Sequence, residues 1–403
     1  MPQPFSTARL RSAGDIVNSY NPTDGSAVTS GPTSQRLVSL DVLRGLTVAL
    51  MILVNNAGDG KVSYAQLRHS AWNGCTLTDV VFPLFLFIVG ASIFLSFRRR
   101  LKQKVVRGVI VLQVLKRALL IFAIGLLLNA LPFLQPGDLR YYGVLQRIAI
   151  CYAIASIIFL YGGIVVSAIV TALILIGYWW MMLHVRVPGY GMPGVDIPII
   201  DPSANLAAWL DRQLVPTVHM YRHTVYDPEG LLSTIPAVAT TLFGVLAAWL
   251  LQIARPASQK AAILFASGAA LIFAGHLWSH SFPLNKRVWT SSYVLFTAGI
   301  SIALLAMLFW FIDGPPRVRR GLTPWLIFGT NALTAYIFSE VLAIALSAVN
   351  LSRGDTLQQF LYRLLPHWLG PPPLVSAVYS VLFVVVCFMP VAYLYHRKIF
   401  FKL

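Results

Sequence analysis

The chain has 403 residues, of which 57% are hydrophobic and 11% are charged, and its formal net charge is +17. This composition excludes an ordinary soluble enzyme and indicates an integral membrane protein. The positive charge does not predict a nucleic-acid-binding protein, because membrane proteins retain Lys and Arg beside helix ends and near anionic lipid headgroups. The three cysteines, Cys75, Cys151 and Cys387, are too scattered for a disulfide framework.

The chain begins with a polar stretch, residues 1–35, which is rich in Ser, Thr, Gly and Pro and has no apolar core of the signal-peptide kind. It is predicted to be a disordered cytoplasmic tail. Residues 36–403 then form one membrane domain, because stretches long enough to cross about 30 Å of hydrocarbon follow one another throughout it. The predicted spans are 37–55, 80–97, 110–131, 144–161, 163–183, 231–253, 261–278, 292–312, 324–349 and 374–395. The predicted fold is an all-α bundle of about ten transmembrane helices.

Lys and Arg are concentrated in alternate connecting segments, most densely in "RRRLKQKVVR" after the second span. The positive-inside rule therefore predicts that both termini are cytoplasmic, in the cell (inner) membrane. The outer side then receives the loop around His69 and the segments 132–142, 184–230, 279–291 and 350–373. Within 184–230, the Gly- and Pro-rich run "VPGYGMPGVDIPIIDPSANL" forbids a continuous helix and predicts an ordered lid or pocket wall, or else a simple connector.

Chemistry concentrates in residues 69–90, "HSAWNGCTLTDVVFPLFLFIVG", where a polar loop runs directly into a span. The His69 imidazole could accept a proton or carry an acyl group, although a loop histidine at a membrane face could also only contact headgroups or water. Four nearby residues could orient it or stabilise an oxyanion: Asn55, Asn56, Asn73 and Asp79. Asp79 fits equally well the structural function of a helix N-terminal cap.

Four ionisable residues fall within predicted spans, and each requires a partner or a water-filled cavity there. They are Asp41, Arg44, Arg147 and Glu340. Two histidine pairs at helical spacing, His219 with His223 and His276 with His280, lack a third ligand, so no metal site is predicted. The sequence also has no Walker loop and no G-x-S-x-G elbow, which removes the usual markers of ATP-driven transport and lipase chemistry.

Six ordered blocks carry a resemblance to a known family. They are "LDVLRGLTVALMILVNN", "HSAWNGCTLTDVVFPLFLFIVG", "GVLQRIAICY", "YDPEGLLSTIPAVATTLFG", "PLNKRVWTSSYVLFTAGIS" and "FGTNALTAYIFSE". Over nearly the whole chain after residue 36, the sequence resembles the heparan-α-glucosaminide N-acetyltransferase family of transmembrane acyltransferases, and more specifically a short bacterial-type member. The resemblance implies acetyl transfer from cytoplasmic acetyl-CoA to the amino group of a glucosamine on the other side of the membrane, and it favours a homodimer.

The resemblance also implies the principal site residues. The family's catalytic histidine falls on His69. Its active-site asparagine falls on Asn55, or on Asn56, because the stretch before His69 is longer here. Asp79 would orient His69. Residues proposed to bind the amino-sugar acceptor are Trp72, Asn73, Arg147, Glu229, Lys286, Arg287, Trp289 and Tyr293.

The phosphates of acetyl-CoA require basic residues on the cytoplasmic side. The candidates are Arg44, Lys116, Arg117, Arg317, Arg319 and Arg320, although membrane topology alone would also place these residues there. The competing hypothesis is a carrier that moves an amino sugar without acyl transfer, since many helices and charged residues within spans are equally typical of transporters. The clustering of polar residues around His69, outside the middle of the membrane, favours the enzyme.

Overall fold

A computed structural model describes residues 37–131, 139–351, 354–366, 368 and 370–401. The predicted tail, 1–35, lies outside the described residues. Within the described ranges the chain forms twelve α-helices and no strand beyond isolated bridges. The helices are α1 Val38–Asn55, α2 Leu77–Lys102, α3 Arg107–Ala130, α4 Val144–His184, α5 Leu206–Leu214, α6 Leu231–Leu250, α7 Ala257–Trp278, α8 Ser291–Leu308, α9 Thr323–Thr330, α10 Ala332–Ala348, α11 Leu357–Arg363 and α12 Pro372–His396. A π-helical turn, Phe309–Asp313, extends α8.

Eight elements of the described chain are long and apolar enough to cross a membrane, and α9 with α10, bent by 82° relative to each other, gives a ninth. The helix α4 has 41 residues and folds back at Gly163, where φ is +66°. Its two halves are antiparallel, because Arg147 contacts the Trp289 ring while the Tyr178 hydroxyl donates to Val288 O. In one straight helix those two residues would lie about 46 Å apart. The fold-back makes ten crossings, and the predicted all-α bundle of about ten helices is confirmed.

The bundle has two chemically different ends. At the end that we call the basic end, the backbone N–H groups of Val38 and Ser39 donate to the Asp313 carboxylate, which joins the start of α1 to the end of α8. Two basic clusters lie at this end. The last turns of α2 carry Arg98, Arg99, Arg100 and Lys102, and the loop before α9 carries Arg317, Arg319 and Arg320. At the opposite end, which we call the histidine end, the loop of His69 meets segment 184–230 and the start of α8.

Helices pack closely in the bundle where glycines meet. A Cβ on Gly244 of α6 would lie 1.9 Å from Phe87 O, and one on Gly90 of α2 would lie 1.7 Å from Thr241 O. The two glycines therefore allow α2 and α6 to approach until their backbones touch. Small residues serve this purpose in membrane proteins because lipid supplies no hydrophobic force between helices.

We expect Gly244→Val to lower the melting temperature of the purified protein in detergent by several degrees, because the new side chain collides with backbone that cannot move aside. The matched control is Gly177→Val in α4, where a Cβ would meet nothing within 4 Å. An equal effect of the two substitutions on melting would contradict this description of the crossing.

Segment 184–230 is packed onto the histidine end. Its helix α5 begins at Asn205, whose side chain accepts a hydrogen bond from Ala208 N at 2.9 Å. Buried apolar side chains of the segment join those of α6 and of the loop after α7, among them Val187, Leu206, Leu232 and Phe282. The indole N–H of Trp72 donates to Ile200 O at 2.9 Å, so the segment forms a wall beside the His69 loop.

Asp211, in α5, fixes this wall to the start of α6. Its carboxylate accepts a hydrogen bond from Leu231 N at 3.1 Å and is 2% exposed. Burial raises the pKa of Asp211 to about 6. A folded-state pKa above the unfolded value means that this group favours folding at low pH and that the contribution is lost as pH rises from about 4 through 6.

Asp211→Asn keeps an acceptor for Leu231 N and cannot ionise. We expect the melting temperature of this variant to increase relative to that of the wild type as the pH is raised from 4 to 7. The corresponding difference in the free energy of unfolding is about 3 kcal/mol. Asp196→Asn, on a carboxylate that is 46% exposed, is the control. A difference between Asp211→Asn and wild type that does not change with pH would be the contrary result.

Candidate active site

The site begins where α2 begins. Thr76 is the N-cap residue, and the Asp79 side chain, three residues on, reaches back to accept from Thr76 N at 3.1 Å. Ser70 N donates to the same oxygen, Oδ2, at 3.0 Å. The Asp79 side chain is only 1% exposed. One oxygen of this buried carboxylate is therefore used to start the helix and to fix the loop before it.

The other oxygen of Asp79 faces His69. Asp79 Oδ1 lies 2.7 Å from His69 Nδ1, and the imidazole is 46% exposed. A carboxylate only accepts hydrogen bonds, so this contact requires the proton on Nδ1 and leaves Nε2 unprotonated in the neutral ring. The two functions considered for Asp79 in the sequence, helix cap and histidine partner, are carried by its two oxygens at once.

Lys286 completes the cluster from the loop before α8. Its Nζ lies 3.1 Å from His69 Nδ1, 3.5 Å from Nε2 and 3.9 Å from Asp79 Oδ1. Burial lowers the pKa of Lys286, although the carboxylates of Asp79 and Glu229 act in the opposite direction. The sequence analysis proposed Lys286 as an acceptor contact, and the structure places its ammonium beside the histidine.

A tight turn presents Lys286 in this position. Asn285, which is fully buried, accepts from Arg287 N at 2.8 Å and from Val288 N at 3.1 Å. Trp289 closes the turn with φ of +55°, a conformation that a bulky residue adopts only when its surroundings enforce it. Asn285 is a positioning residue that the sequence analysis did not identify, although it lies within the "PLNKRVW" block.

Cys75 lies beside the cluster and is not a competing nucleophile. Burial raises the pKa of its thiol to about 12, and the Asp79 carboxylate adds to this effect. A thiol reacts as its thiolate, which this position disfavours. The Cys75 thiol is therefore disfavoured as the nucleophile beside Asp79.

The two candidate asparagines occupy different places at the end of α1. Asn56 is buried and its Nδ2 donates to Ile52 O at 2.8 Å, so it closes its own helix. Asn55 is exposed, and its side chain lies next to Glu340 of α10. In the hydrogen bonds of the described chain neither asparagine contacts His69.

Trp72 and Asn73 connect the His69 loop to its neighbours. Asn73 Oδ1 accepts from Asn285 Nδ2 at 3.0 Å, which joins this loop to the turn that carries Lys286. The Trp72 ring stands edge-on to Tyr226 at 5.2 Å between centroids, and the Arg287 guanidinium lies 6.0 Å from each of the two rings. Trp72 is partly exposed and is available to a ligand at this end.

Three predicted acceptor residues lie deeper. Trp289 and Tyr293 are 0% exposed, and in this conformation neither ring is open to a sugar. Tyr293 donates to Asp79 O at 2.6 Å and so supports the first turn of α2. The Arg147 guanidinium, 1% exposed, lies 5.0 Å from the Trp289 ring centroid. Glu229 accepts from Arg140 Nη2 at 2.6 Å and is already paired.

The residues predicted to bind the nucleotide do not form one cluster. Arg44 lies between helices, where it pairs with Asp41 at 3.0 Å and donates to Gly329 O and Ser92 Oγ. Lys116 and Arg117 are exposed on α3, and the Arg117 guanidinium lies 5.2 Å from the Tyr152 ring. The exposed loop after the π-helical turn carries the other three, Arg317, Arg319 and Arg320.

The histidine pairs have other neighbours. His219 stacks on Tyr141 with ring centroids 4.2 Å apart, and the His276 and His280 rings lie edge to face at 5.5 Å. Among the described residues, no group of three or more His, Cys, Asp or Glu side chains is placed to hold a metal ion.

Fold and site together define a multi-pass membrane protein with a histidine, a carboxylate and an ammonium clustered at one end of a helix bundle. Residues 36–196 match the sequence model of the catalytic region of heparan-alpha-glucosaminide N-acetyltransferase. The chain is 27% identical to the enzyme of that name from Mus musculus over 369 residues, which cover 78% of this chain and 55% of the relative. The Homo sapiens enzyme gives 27% over 362 residues, covering 76% of this chain and 53% of the relative.

These matches make the chain similar to the heparan-alpha-glucosaminide N-acetyltransferase family, the resemblance that the sequence blocks predict. The matched region includes His69, Asp79 and the asparagines at the end of α1. The chain spans about half the length of the curated relatives that it matches.

Asp79→Asn tests the hydrogen bond to the imidazole. The amide keeps one acceptor oxygen for the start of α2, but its NH₂ group would donate to Nδ1. That contact favours the tautomer with the proton on Nε2, so the reactive lone pair is lost. We expect acetyl-transfer kcat to fall on the order of 10³-fold, with a melting temperature within a few degrees of wild type. Asp59→Asn, in the same loop region, serves as control. Full activity of Asp79→Asn would show that the carboxylate does not orient the histidine.

Proposed function

We propose that the chain is a transmembrane N-acetyltransferase that moves acetyl from acetyl-CoA to the amino group of a glucosamine-type sugar. The observation that carries the proposal is the half-exposed His69, held through Nδ1 by a buried carboxylate so that Nε2 is unprotonated in the neutral ring. The family supports this assignment, since the curated relatives are named for N-acetyl transfer to a glucosaminide.

Two routes use the same geometry. In the first, Nε2 attacks the thioester carbon, the C–S bond breaks and CoA leaves as the thiolate. The neutral sugar amine then attacks the acetyl carbon, the bond to Nε2 breaks, and the proton that the amine loses passes to the CoA thiolate. In the second, Nε2 accepts a proton from the amine while the amine nitrogen attacks the thioester carbon directly, and that proton passes to the departing sulfur. In both, the Asp79 carboxylate stabilises the positive charge that develops on the ring.

Lys286 supplies the opposite charge. The oxygen of the thioester becomes negative as the tetrahedral intermediate forms, and an ammonium next to the histidine would stabilise it. Asn55, whose amide is exposed, is the second donor that the family resemblance implies. Under this proposal Lys286 acts on the reacting acetyl group, and contact with the sugar falls to residues farther from the imidazole.

Under this proposal, acetyl-CoA binds at the basic end. The positive-inside rule assigns it to the cytoplasm, and we propose that Arg317, Arg319 and Arg320 attract the CoA phosphates there. Arg44, Lys116 and Arg117 would contribute along the route between the helices. The acetyl group must then reach His69 at the opposite end, in the cell (inner) membrane of a bacterial-type protein.

A carrier of amino sugars is the second candidate. The observation that favours it is the 82° break between α9 and α10, because discontinuous helices line substrate sites in many transporters. The two candidates differ in one measurable property. A carrier moves the sugar unchanged, whereas the transferase leaves acetyl on it.

Proteoliposomes containing the full chain, loaded with radiolabelled glucosamine and supplied with external acetyl-CoA, separate the two. We expect labelled N-acetylglucosamine to form, because molecules with the basic end outward can bind the external donor. His69→Ala should form none, while His276→Ala, at the outer end of α7, should match the wild type. Release of unmodified glucosamine, with no acetylated product, would establish the carrier and reject the transferase.

A further inference from the structure

A cavity with a mixed polar and apolar lining lies near the histidine end, between the end of α3, the start of α4 and α10. Its volume is about 210 Å³. At about 30 Å³ for each water molecule, it has room for roughly seven waters, which suits one sugar ring. The polar lining consists of Asn129, Arg140, Gln146, Tyr336 and Glu340.

Gln146 contributes a buried donor without a protein partner. The residue is 2% exposed, and its Nε2 has no hydrogen-bond partner in the structure. Its Oε1 is enclosed, because a Cβ on Gly125 or on Gly143 would lie 2.6 Å from that oxygen. The carboxamide is therefore held in place while its N–H groups remain unused. Native proteins rarely leave a buried donor unpaired, so this one indicates an acceptor that the protein does not itself supply.

Glu340 contributes a carboxylate. Its neighbours are the side chains of Tyr336 and Asn55. Among the ion pairs of the described residues, none within 4.0 Å involves Glu340. A carboxylate within a membrane span is costly unless a cation or water accompanies it. The cavity therefore offers negative charge to a ligand.

Arg140 does not reverse this charge. Its guanidinium is bound by two carboxylates, with Nη2 at 2.6 Å from Asp227 Oδ1 and at 2.6 Å from Glu229 Oε2. A second anion, such as a phosphate, would meet a neutralised arginine and the Glu340 carboxylate. The cavity consequently favours a cation over an anion.

We propose that this cavity binds the amino sugar, with Glu340 receiving its ammonium and Gln146 donating to a ring hydroxyl. The inference rests on the proposed function, which requires an amine as acetyl acceptor, and it adds the specificity-determining residue. Two contacts relate the cavity to the candidate active site. Glu340 lies next to Asn55, and Arg140 connects the cavity to Glu229, whose charge acts on Lys286.

The test is equilibrium binding of glucosamine and of glucose to the full chain in detergent, without acetyl-CoA. A charged hydrogen bond is about twice as strong as a neutral one, so wild type should bind glucosamine about tenfold more tightly than glucose. Glu340→Gln should remove this preference by weakening glucosamine binding about tenfold, with glucose within about twofold of wild type. Asp196→Asn, an exposed acid in segment 184–230, should retain the preference.

Gln146→Leu is the second variant, since it removes the donor and keeps the charge of Glu340. It should weaken both sugars by a similar factor and leave the preference for the amine intact. Melting curves of both variants establish whether each is folded. If Glu340→Gln is unfolded, Glu340→Asp, which preserves the charge, replaces it. The Asp variant should retain part of the preference for the amine.

Equal preference for glucosamine in wild type and Glu340→Gln would overturn the inference, whether or not the chain transfers acetyl. Loss of that preference in Glu340→Gln would support it even if wild type formed no acetylated product. That combination of results would reject the proposed transferase function and still support the amine-binding site. In the acetyl-transfer assay, Glu340→Gln should raise KM for glucosamine about tenfold and change kcat less than threefold.

Discussion

The candidate site depends on one buried carboxylate that has two tasks. Asp79 Oδ2 accepts the backbone N–H groups of Ser70 and Thr76, and Oδ1 faces His69 Nδ1 at 2.7 Å. The first task starts a membrane-spanning helix, and the second sets the orientation and tautomer of the imidazole. Because both tasks use one side chain, the histidine is fixed to a rigid helix end although it lies in a loop.

The rest of the structure holds a cation against this pair. Lys286 arrives from a part of the chain more than 200 residues away, on a turn that Asn285 stabilises and that Trp289 closes in a strained conformation. Tyr293 donates to Asp79 O and joins the start of α8 to the start of α2. Helix packing at Gly90 and Gly244 fixes α2 in the bundle. The three ionisable groups, His69, Asp79 and Lys286, are therefore held by separate elements whose relative positions the bundle determines.

The sequence predicted what depends on local pattern. Apolar runs gave the helices, and the separate spans predicted for 144–161 and 163–183 correspond to the two halves of α4, which folds back at Gly163. His69 and Asp79 are ten residues apart in one block, so their association was accessible to sequence reasoning. The contact of Lys286 with His69 was not, because it joins distant segments through a turn whose shape is enforced by buried neighbours.

The same limit explains the deeper residues. Aromatic side chains near a predicted outer face suggested sugar stacking by Trp289 and Tyr293, but burial on all sides is a property of tertiary packing that local pattern does not reveal. Gln146 and Glu340 lie on different helices, and only the packing of α4 against α10 brings them to one cavity.

The most direct test of the Asp79–His69 pair is the ¹⁵N NMR spectrum of the full chain with labelled histidine, with the His69 signals assigned from their loss in His69→Ala. The account predicts that neutral His69 carries its proton on Nδ1 and shows an unprotonated, pyridine-like Nε2. A proton on Nε2 of the neutral ring would contradict it, because the nitrogen proposed to take the acetyl group or the proton would then have no free lone pair.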